Sequence, residues 1–112
     1  MNLSVNIAGV EFKNPIITAS GTFGFGREYG KLYPLSLLGG ITVKGLTLET
    51  RQGNIPPRIA ETPQGILNSV GLQNPGIESF LRDELPFLKQ QGTVIIANIA
   101  GNTIEDYCEM AR

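Results

Sequence analysis

Histidine and tryptophan are missing from this 112-residue chain, and cysteine occurs once, as Cys108. Without histidine the usual general base and the commonest metal ligand are gone, so no metal site is expected. A single cysteine allows no internal disulfide, which suits a reducing cytoplasm. Neither sign of charge dominates: nine basic and ten acidic residues leave a net charge of −1. The charges are interspersed, so neither a nucleic-acid stripe nor a basic membrane-binding face is expected. No apolar run approaches the roughly 18 residues of a membrane-spanning helix, and the N-terminus lacks the plan of a signal peptide. What remains is a chain that is 41% hydrophobic and only 17% charged. That balance belongs to a folded globular chain, read here as one domain over residues 1–112.

Glycine and proline are plentiful, at fourteen and seven residues, and they punctuate the chain into short elements. Leu3, Val5 and Ile7 alternate with polar or small residues, then Gly9 turns the chain into Val10-Glu11-Phe12, predicting an N-terminal β-hairpin. Three further apolar runs follow: Ile16 to Ala19, Ile41 to Lys44 and Thr93 to Asn98. Apolar on both faces, they read as strands of a covered parallel sheet. A helix is predicted over 27–38 with Tyr29, Leu32, Tyr33 and Leu37 as its buried stripe, interrupted by Pro34. From Leu46 to Leu72 no long period survives, which predicts a long loop or hairpin, a kind of segment that is often functional. Asn74-Pro75 reads as a cap and first-turn proline for a helix carrying Ile77, Leu81, Leu85 and Leu88 inward. Glu78 and Arg82 are spaced to pair on its outside, and Pro86 is expected to bend it. Asn102 to Glu105 resembles a capping box for a last helix that runs toward Arg112 without a stop signal.

Strands alternating with helices imply an α/β fold with a parallel sheet. Since a closed eight-stranded barrel needs about 250 residues, the expectation is an open sheet or the N-terminal piece of something longer. As an isolated piece with bare sheet edges it is expected to be poorly soluble or only partly ordered.

Each of the three parallel runs ends in one polar side chain among small residues: Ser20, Lys44 and Asn98. Side chains at the carboxyl ends of barrel strands are where ligands bind. Lys44 follows an apolar run and precedes Gly45, so its stem is expected to be partly buried. Its head group could meet an anion or an electron-rich ring, or simply reach water. Ser20 leads into a loop with Gly21, Gly24 and Gly26, which either cradles a phosphate or only turns the chain. The amides and hydroxyl of Asn68-Ser69-Val70-Gly71-Leu72-Gln73-Asn74 offer donors and acceptors together. They suit a planar ligand with carbonyl and N–H edges, or ordinary turn chemistry. Asn98 is expected to be a buried amide in need of partners. Cys108 reads as a packing residue beside Ile104 and Ala111, with no basic partner to activate it.

In order along the chain stand Asn14-Pro15-Ile16-Ile17, Ala19-Ser20-Gly21, Val43-Lys44-Gly45, Asn54-Ile55-Pro56-Pro57-Arg58, Asn68 through Gly76, and Ile96-Ala97-Asn98-Ile99-Ala100-Gly101. This series resembles the N-terminal third of a class 1 dihydroorotate dehydrogenase. The loops Phe23-Gly24-Phe25-Gly26 and Gly71-Leu72-Gln73-Asn74-Pro75-Gly76 are similar to the NAD-linked type B catalytic subunit more than to the fumarate-linked type A. The resemblance implies the N-terminal portion of a (β/α)8 barrel, incomplete in this chain, that binds FMN and oxidises dihydroorotate to orotate in pyrimidine biosynthesis. It implies FMN contacts at Ala19, Ser20, Gly21, Lys44, Gly45 and Asn98, and substrate contacts at Lys44, Asn68, Ser69, Val70, Gly71 and Leu72. It further implies a homodimer working with an electron-transfer subunit that carries FAD and an iron–sulfur cluster. The family's catalytic cysteine lies in an Asn-x-Ser-Cys-Pro stretch beyond the third strand. Cys108 does not match that stretch, so no catalytic residue is assigned here and the piece alone is expected to be inactive. A related FMN barrel of the dihydropyrimidine dehydrogenase kind, and a non-catalytic interaction module, stand as alternatives.

Overall fold

A tight hairpin opens the chain: β1 (Val5–Ile7) pairs antiparallel with β2 (Val10–Phe12). Ala8 and Gly9 both take positive φ at its turn, the geometry that two-residue hairpins demand. The computed structural model describes residues 2–112.

The centre of the molecule is β3 (Gly40–Thr42), flanked by two parallel neighbours. On one side it pairs in register with β6 (Val94–Ile96), Ile41 opposite Ile95. On the other side Ile17 bridges Gly40 in parallel. That flank is shorter than the strand expected over 16–19. The Thr42 N–H donates to the Thr18 hydroxyl rather than to a carbonyl, so the backbone ladder stops there. The result is an α/β arrangement of three parallel segments in chain order, with no closed barrel among the described residues.

The middle segment is the most deeply buried of the three. Ile41, Val43 and Leu46 are fully enclosed, and they pack with Leu35, Leu38, Phe80 and Leu88 into one core. Each such side chain contributes about 1.5–3 kcal/mol on leaving water. Alternation then puts Thr42 and Lys44, both half-buried, on the opposite face of the strand. Ile16 is well exposed and β6 is half-buried, because each has a neighbour on one side only.

The helical layer departs from expectation in several places. Instead of one helix over 27–38 there are two single 3₁₀ turns, Tyr29–Lys31 and Leu35–Leu37. Pro34 is extended between them, and its missing N–H denies the helix a bond. The buried residues are Leu35 and Leu38, whereas Leu32 is 78% exposed. The next helix starts at α1 (Ile77–Ser79), not at Pro75, behind Gly76 with φ +84°. It widens into a π turn (Phe80–Glu84) and continues as α2 (Leu85–Lys89). Pro86 has no N–H for the Arg82 carbonyl, so an α-helical bond is lost here and the wider turn takes its place. The extra residue rotates Phe80 and Leu88 inward and leaves Leu81 exposed. Arg82 pairs with Asp83 rather than Glu78.

After β6, α3 (Ile104–Met110) begins with a capping box between Thr103 and Asp106, one residue beyond the expected position. Cys108 is exposed on this helix, not packed, and Ile104 and Ala111 are exposed too. No described helix is long and apolar enough to cross a membrane. The Asn102 and Thr103 N–H groups donate to the Asp106 carboxylate and hold it below the usual carboxylate range, Asn102 having the larger effect. A carboxyl lowered on folding stabilises the fold above its unfolded value of about 3.9, and that support fades as pH falls through the folded value. NMR titration is therefore expected to place the Asp106 midpoint below that of an unfolded aspartate. Asp106→Asn is expected to remove the matching acid-side loss of α3 helicity.

Candidate functional site

The parallel register levels the strand tips. Thr42 faces Ile96 across the ladder and Leu46 next bridges Ile99, so Lys44 and Asn98 both lie between these two pairs at the carboxyl end. The Leu46 N–H donates to the Asn98 carbonyl at 2.8 Å and holds them there. From the third segment Ser20 reaches the same place, where its hydroxyl accepts from Asn98 Nδ2 at 2.9 Å. Lys44 Nζ lies 3.8 Å from the position a Cβ on Gly21 would take. A Cβ on Gly45 would meet Leu72 Cδ1 at 3.0 Å and Asn98 Nδ2 at 3.4 Å. Ser20, Gly21, Lys44, Gly45, Asn98 and Leu72 thus form one neighbourhood, made from three strand tips and a distant loop. Asn98 is exposed rather than the buried amide expected from its strand. Gly21 is exposed with only Lys44 Nζ near its missing Cβ, so a planar ring can approach backbone closely there.

Two supports keep the tips in position. The Lys44 N–H donates to the Gly24 carbonyl at 3.1 Å, so the glycine loop fixes the lysine backbone. Gly24 and Gly26 have φ +59° and +81°, which turn the loop back over the strand end. Beyond Gly45, Thr47 N–H donates to the buried Asn74 Oδ1, which also accepts from Gly76 N–H. Asn74 Nδ2 donates to the Leu72 carbonyl and to the Thr47 hydroxyl. Asn74 is therefore the fastener between the strand tip and the loop, a role that its turn-like sequence setting concealed.

The loop 68–72 is reached by a second hairpin. β4 (Ile59–Thr62) pairs antiparallel with β5 (Gly65–Asn68), and every residue of both is exposed. This is the region without a period, resolved as a projecting hairpin. Past Asn68 the chain is strapped to residues 51–58. Asn54 Nδ2 donates to the Ser69 carbonyl and hydroxyl, and Arg58 donates to Gln73 Oε1 and to the Gln52 carbonyl. Gly71 and Leu72 then take φ +77° and +54°, turning Leu72 in toward Gly45. Leu72 belongs to the neighbourhood of Lys44. Asn68 stands exposed at the end of β5, Ser69 is held by Asn54, and Val70 is half-buried. Ala19 is exposed beside Ser20.

Neither ion pair among the described residues uses the Lys44 ammonium. No group of three or more acidic or cysteine side chains among these residues is placed to hold a metal. A cleft of about 520 Å³ touches Gly21 and is lined also by Phe23, Gly24, Tyr29 and Leu32. Ser20, Lys44 and Asn98 are not in its wall.

The profile of the family described as Dihydroorotate dehydrogenase matches residues 2–112. This chain belongs to the dihydroorotate dehydrogenase family. The dihydroorotate dehydrogenase B (NAD(+)) catalytic subunit of Petrotoga mobilis is 64% identical over 107 residues, covering 96% of this chain and 36% of that one. The subunit of the same description from Alkaliphilus metalliredigens is 61% identical over 112 residues, covering all of this chain and 37% of its own. This chain thus spans little more than a third of the length of these relatives. A crystal structure of the Eimeria tenella enzyme in complex with ferulenol superposes with a TM-score of 0.64 at 25% identity, over 96% of this chain and 32% of that chain. The resemblance drawn from the ordered motifs is therefore a family membership.

Proposed function

We propose that residues 1–112 belong to one FMN-binding domain, the start of a (β/α)8 barrel, in a protein that oxidises dihydroorotate to orotate in pyrimidine biosynthesis. The single observation that carries this reading is the meeting of Ser20, Lys44 and Asn98 at one sheet edge, with Asn98 bonded to Ser20 and Lys44 Nζ beside Gly21.

The residues fit FMN. Gly21 leaves open the space that a Cβ would take, with only Lys44 Nζ in van der Waals reach, so a flat ring can lie close to backbone there, while Leu72 and Asn98 already close over Gly45. The donor set matches a flavin's polar edge: an amide and a hydroxyl for neutral ring atoms, an ammonium for developing negative charge. Ala19, Ser20, Gly21, Lys44, Gly45 and Asn98 would hold it. FMN, when bound, supplies the two-electron acceptor that the oxidation requires. Lys44 would set a positive charge beside the ring where negative charge develops, and its ammonium would also suit the carboxylate of dihydroorotate. Asn68, Ser69, Val70, Gly71 and Leu72 would receive the dihydropyrimidine, whose carbonyl and N–H edges match amide and backbone groups. Leu72 supplies an apolar wall beside Gly45. We assign no proton-abstracting base among these residues, since Cys108 is exposed on α3 and away from the strand tips in sequence.

The relatives are described as catalytic subunits, and we propose that this protein likewise acts as a homodimer with a partner subunit, one carrying FAD and an iron–sulfur cluster, in the cytoplasm. The test is to purify the full-length protein, record its visible spectrum, and assay it with dihydroorotate and with uracil-type dihydropyrimidines lacking the carboxylate. Yellow flavin absorbance that dihydroorotate bleaches is the expected result. Absence of flavin would leave a non-catalytic module, and preference for the substrate without a carboxylate would move the assignment to the dihydropyrimidine dehydrogenase kind.

A further inference from the structure

Arg27 sits outside the strand tips and outside every residue assigned above, yet it is held by two hydrogen bonds and an aromatic contact. Its Nε donates to Glu84 Oε2 at 2.7 Å and its Nη2 donates to the Asp83 carbonyl at 3.0 Å. Its guanidinium carbon lies 4.4 Å from the centroid of the Phe87 ring. All three partners belong to the helix around the π turn, 56 or more residues away in sequence. Two residues before Arg27, Phe25 packs on Phe80 of the same π turn with ring centroids 5.6 Å apart. The short run from Phe25 to Arg27 is thereby fastened at both ends to a single irregular turn of helix.

That run is the far limb of the glycine loop. Its near limb is Ser20-Gly21, and between them Gly24 accepts the Lys44 N–H. Glycine at 21, 24 and 26 gives this loop a wide choice of backbone conformations, which the fastening narrows. The π turn presents the Asp83 carbonyl to Arg27.

We propose that Arg27 is a positioning residue for Lys44: by clamping the glycine loop to the π turn it fixes the Gly24 carbonyl, and through it the placement of the lysine ammonium. Lysine at 27 would keep the charge but lose the forked contact with a carboxylate and a carbonyl at once. This inference rests on the flavin reading for its effect on chemistry, but not for the clamp.

The experiment compares the full-length protein with its Arg27→Gln, Arg27→Lys and Glu84→Gln variants by two readouts. The first is amide hydrogen exchange at Lys44 and Gly24, which needs no flavin. Exchange at the Lys44 N–H is expected to rise about tenfold in Arg27→Gln, matching about 1.4 kcal/mol of lost local stability, and less in Arg27→Lys and Glu84→Gln. The second is the kcat and KM for dihydroorotate with the flavin midpoint potential. We expect kcat to fall about tenfold, the order of loss a small misplacement produces, with KM little changed and the potential lowered because the cation no longer meets the reduced ring. Unchanged Lys44 exchange in Arg27→Gln overturns the clamp, whatever the flavin content. Raised exchange with unchanged kcat and potential overturns the positioning role. Raised exchange in a protein that never carries flavin supports the clamp and overturns the FMN reading instead.

Discussion

Lys44→Met in the full-length protein is expected to lower kcat/KM for dihydroorotate by about 10²–10³, the loss that follows removal of one preorganised donor at developing charge. Methionine keeps the length and most of the volume of the stem, so the substitution tests the charge rather than the packing. The fold should survive it. Lys44 is half-buried, and neither ion pair among the described residues depends on it. Lys44→Arg should recover part of the activity, since the charge returns in a broader head group that crowds Gly21. Steady-state kinetics beside a thermal melt separate the two effects. Activity within threefold of the parent, at unchanged melting temperature, would remove Lys44 from the site.

Gly39→Ala is expected to be the most damaging single methyl in the chain. A Cβ at this position would lie 1.9 Å from the Asn14 carbonyl oxygen and 2.9 Å from its carbon. Backbone cannot yield there. Gly39 N–H donates to the Ile16 carbonyl at 2.9 Å, and its own carbonyl accepts from Val94 N–H at 3.4 Å. The glycine therefore lies where all three parallel segments meet. Overpacking a site that cannot relax costs about 3 kcal/mol or more, a large share of the 5–15 kcal/mol that holds most domains together. The neighbouring Gly40 is less strict: its added carbon would touch the Phe12 ring at 2.9 Å, and a ring can shift. Chemical denaturation of both variants should rank Gly39→Ala well below Gly40→Ala. Equal stability would mean that the Asn14 turn moves away at little cost.

Much of this was legible before any coordinate. Local alternation declared the hairpin at Gly9, because a period of two over three residues on each side of a glycine has few other solutions. The runs ending at Lys44 and Asn98 declared parallel strands, because apolar side chains on both faces need a sheet covered on both sides. The convergence of Ser20, Lys44 and Asn98 followed from those strands being adjacent and level. Where the reading failed, a long-range contact had outweighed a local pattern. The expected helix over 27–38 broke because Pro34 removed a donor, and the burial of Leu35 and Leu38 in the core chose which residues turned inward. Glu78 lost Arg82 to Asp83 because the π turn changed the angular spacing on which an i, i+4 pair depends.

Sequence alone determined the class of fold, the order of elements, and the residue types offered at each strand tip, since these depend on short-range periodicity and on where glycine and proline interrupt it. Only the tertiary structure decided which partners those residues have. Asn74 as the fastener of the loop, Leu72 against Gly45, and Arg27 spanning to the π turn all join residues more than 20 positions apart. No local pattern encodes such pairs, because they exist only once the core of Ile41, Val43, Leu46 and Phe80 has brought the segments into contact.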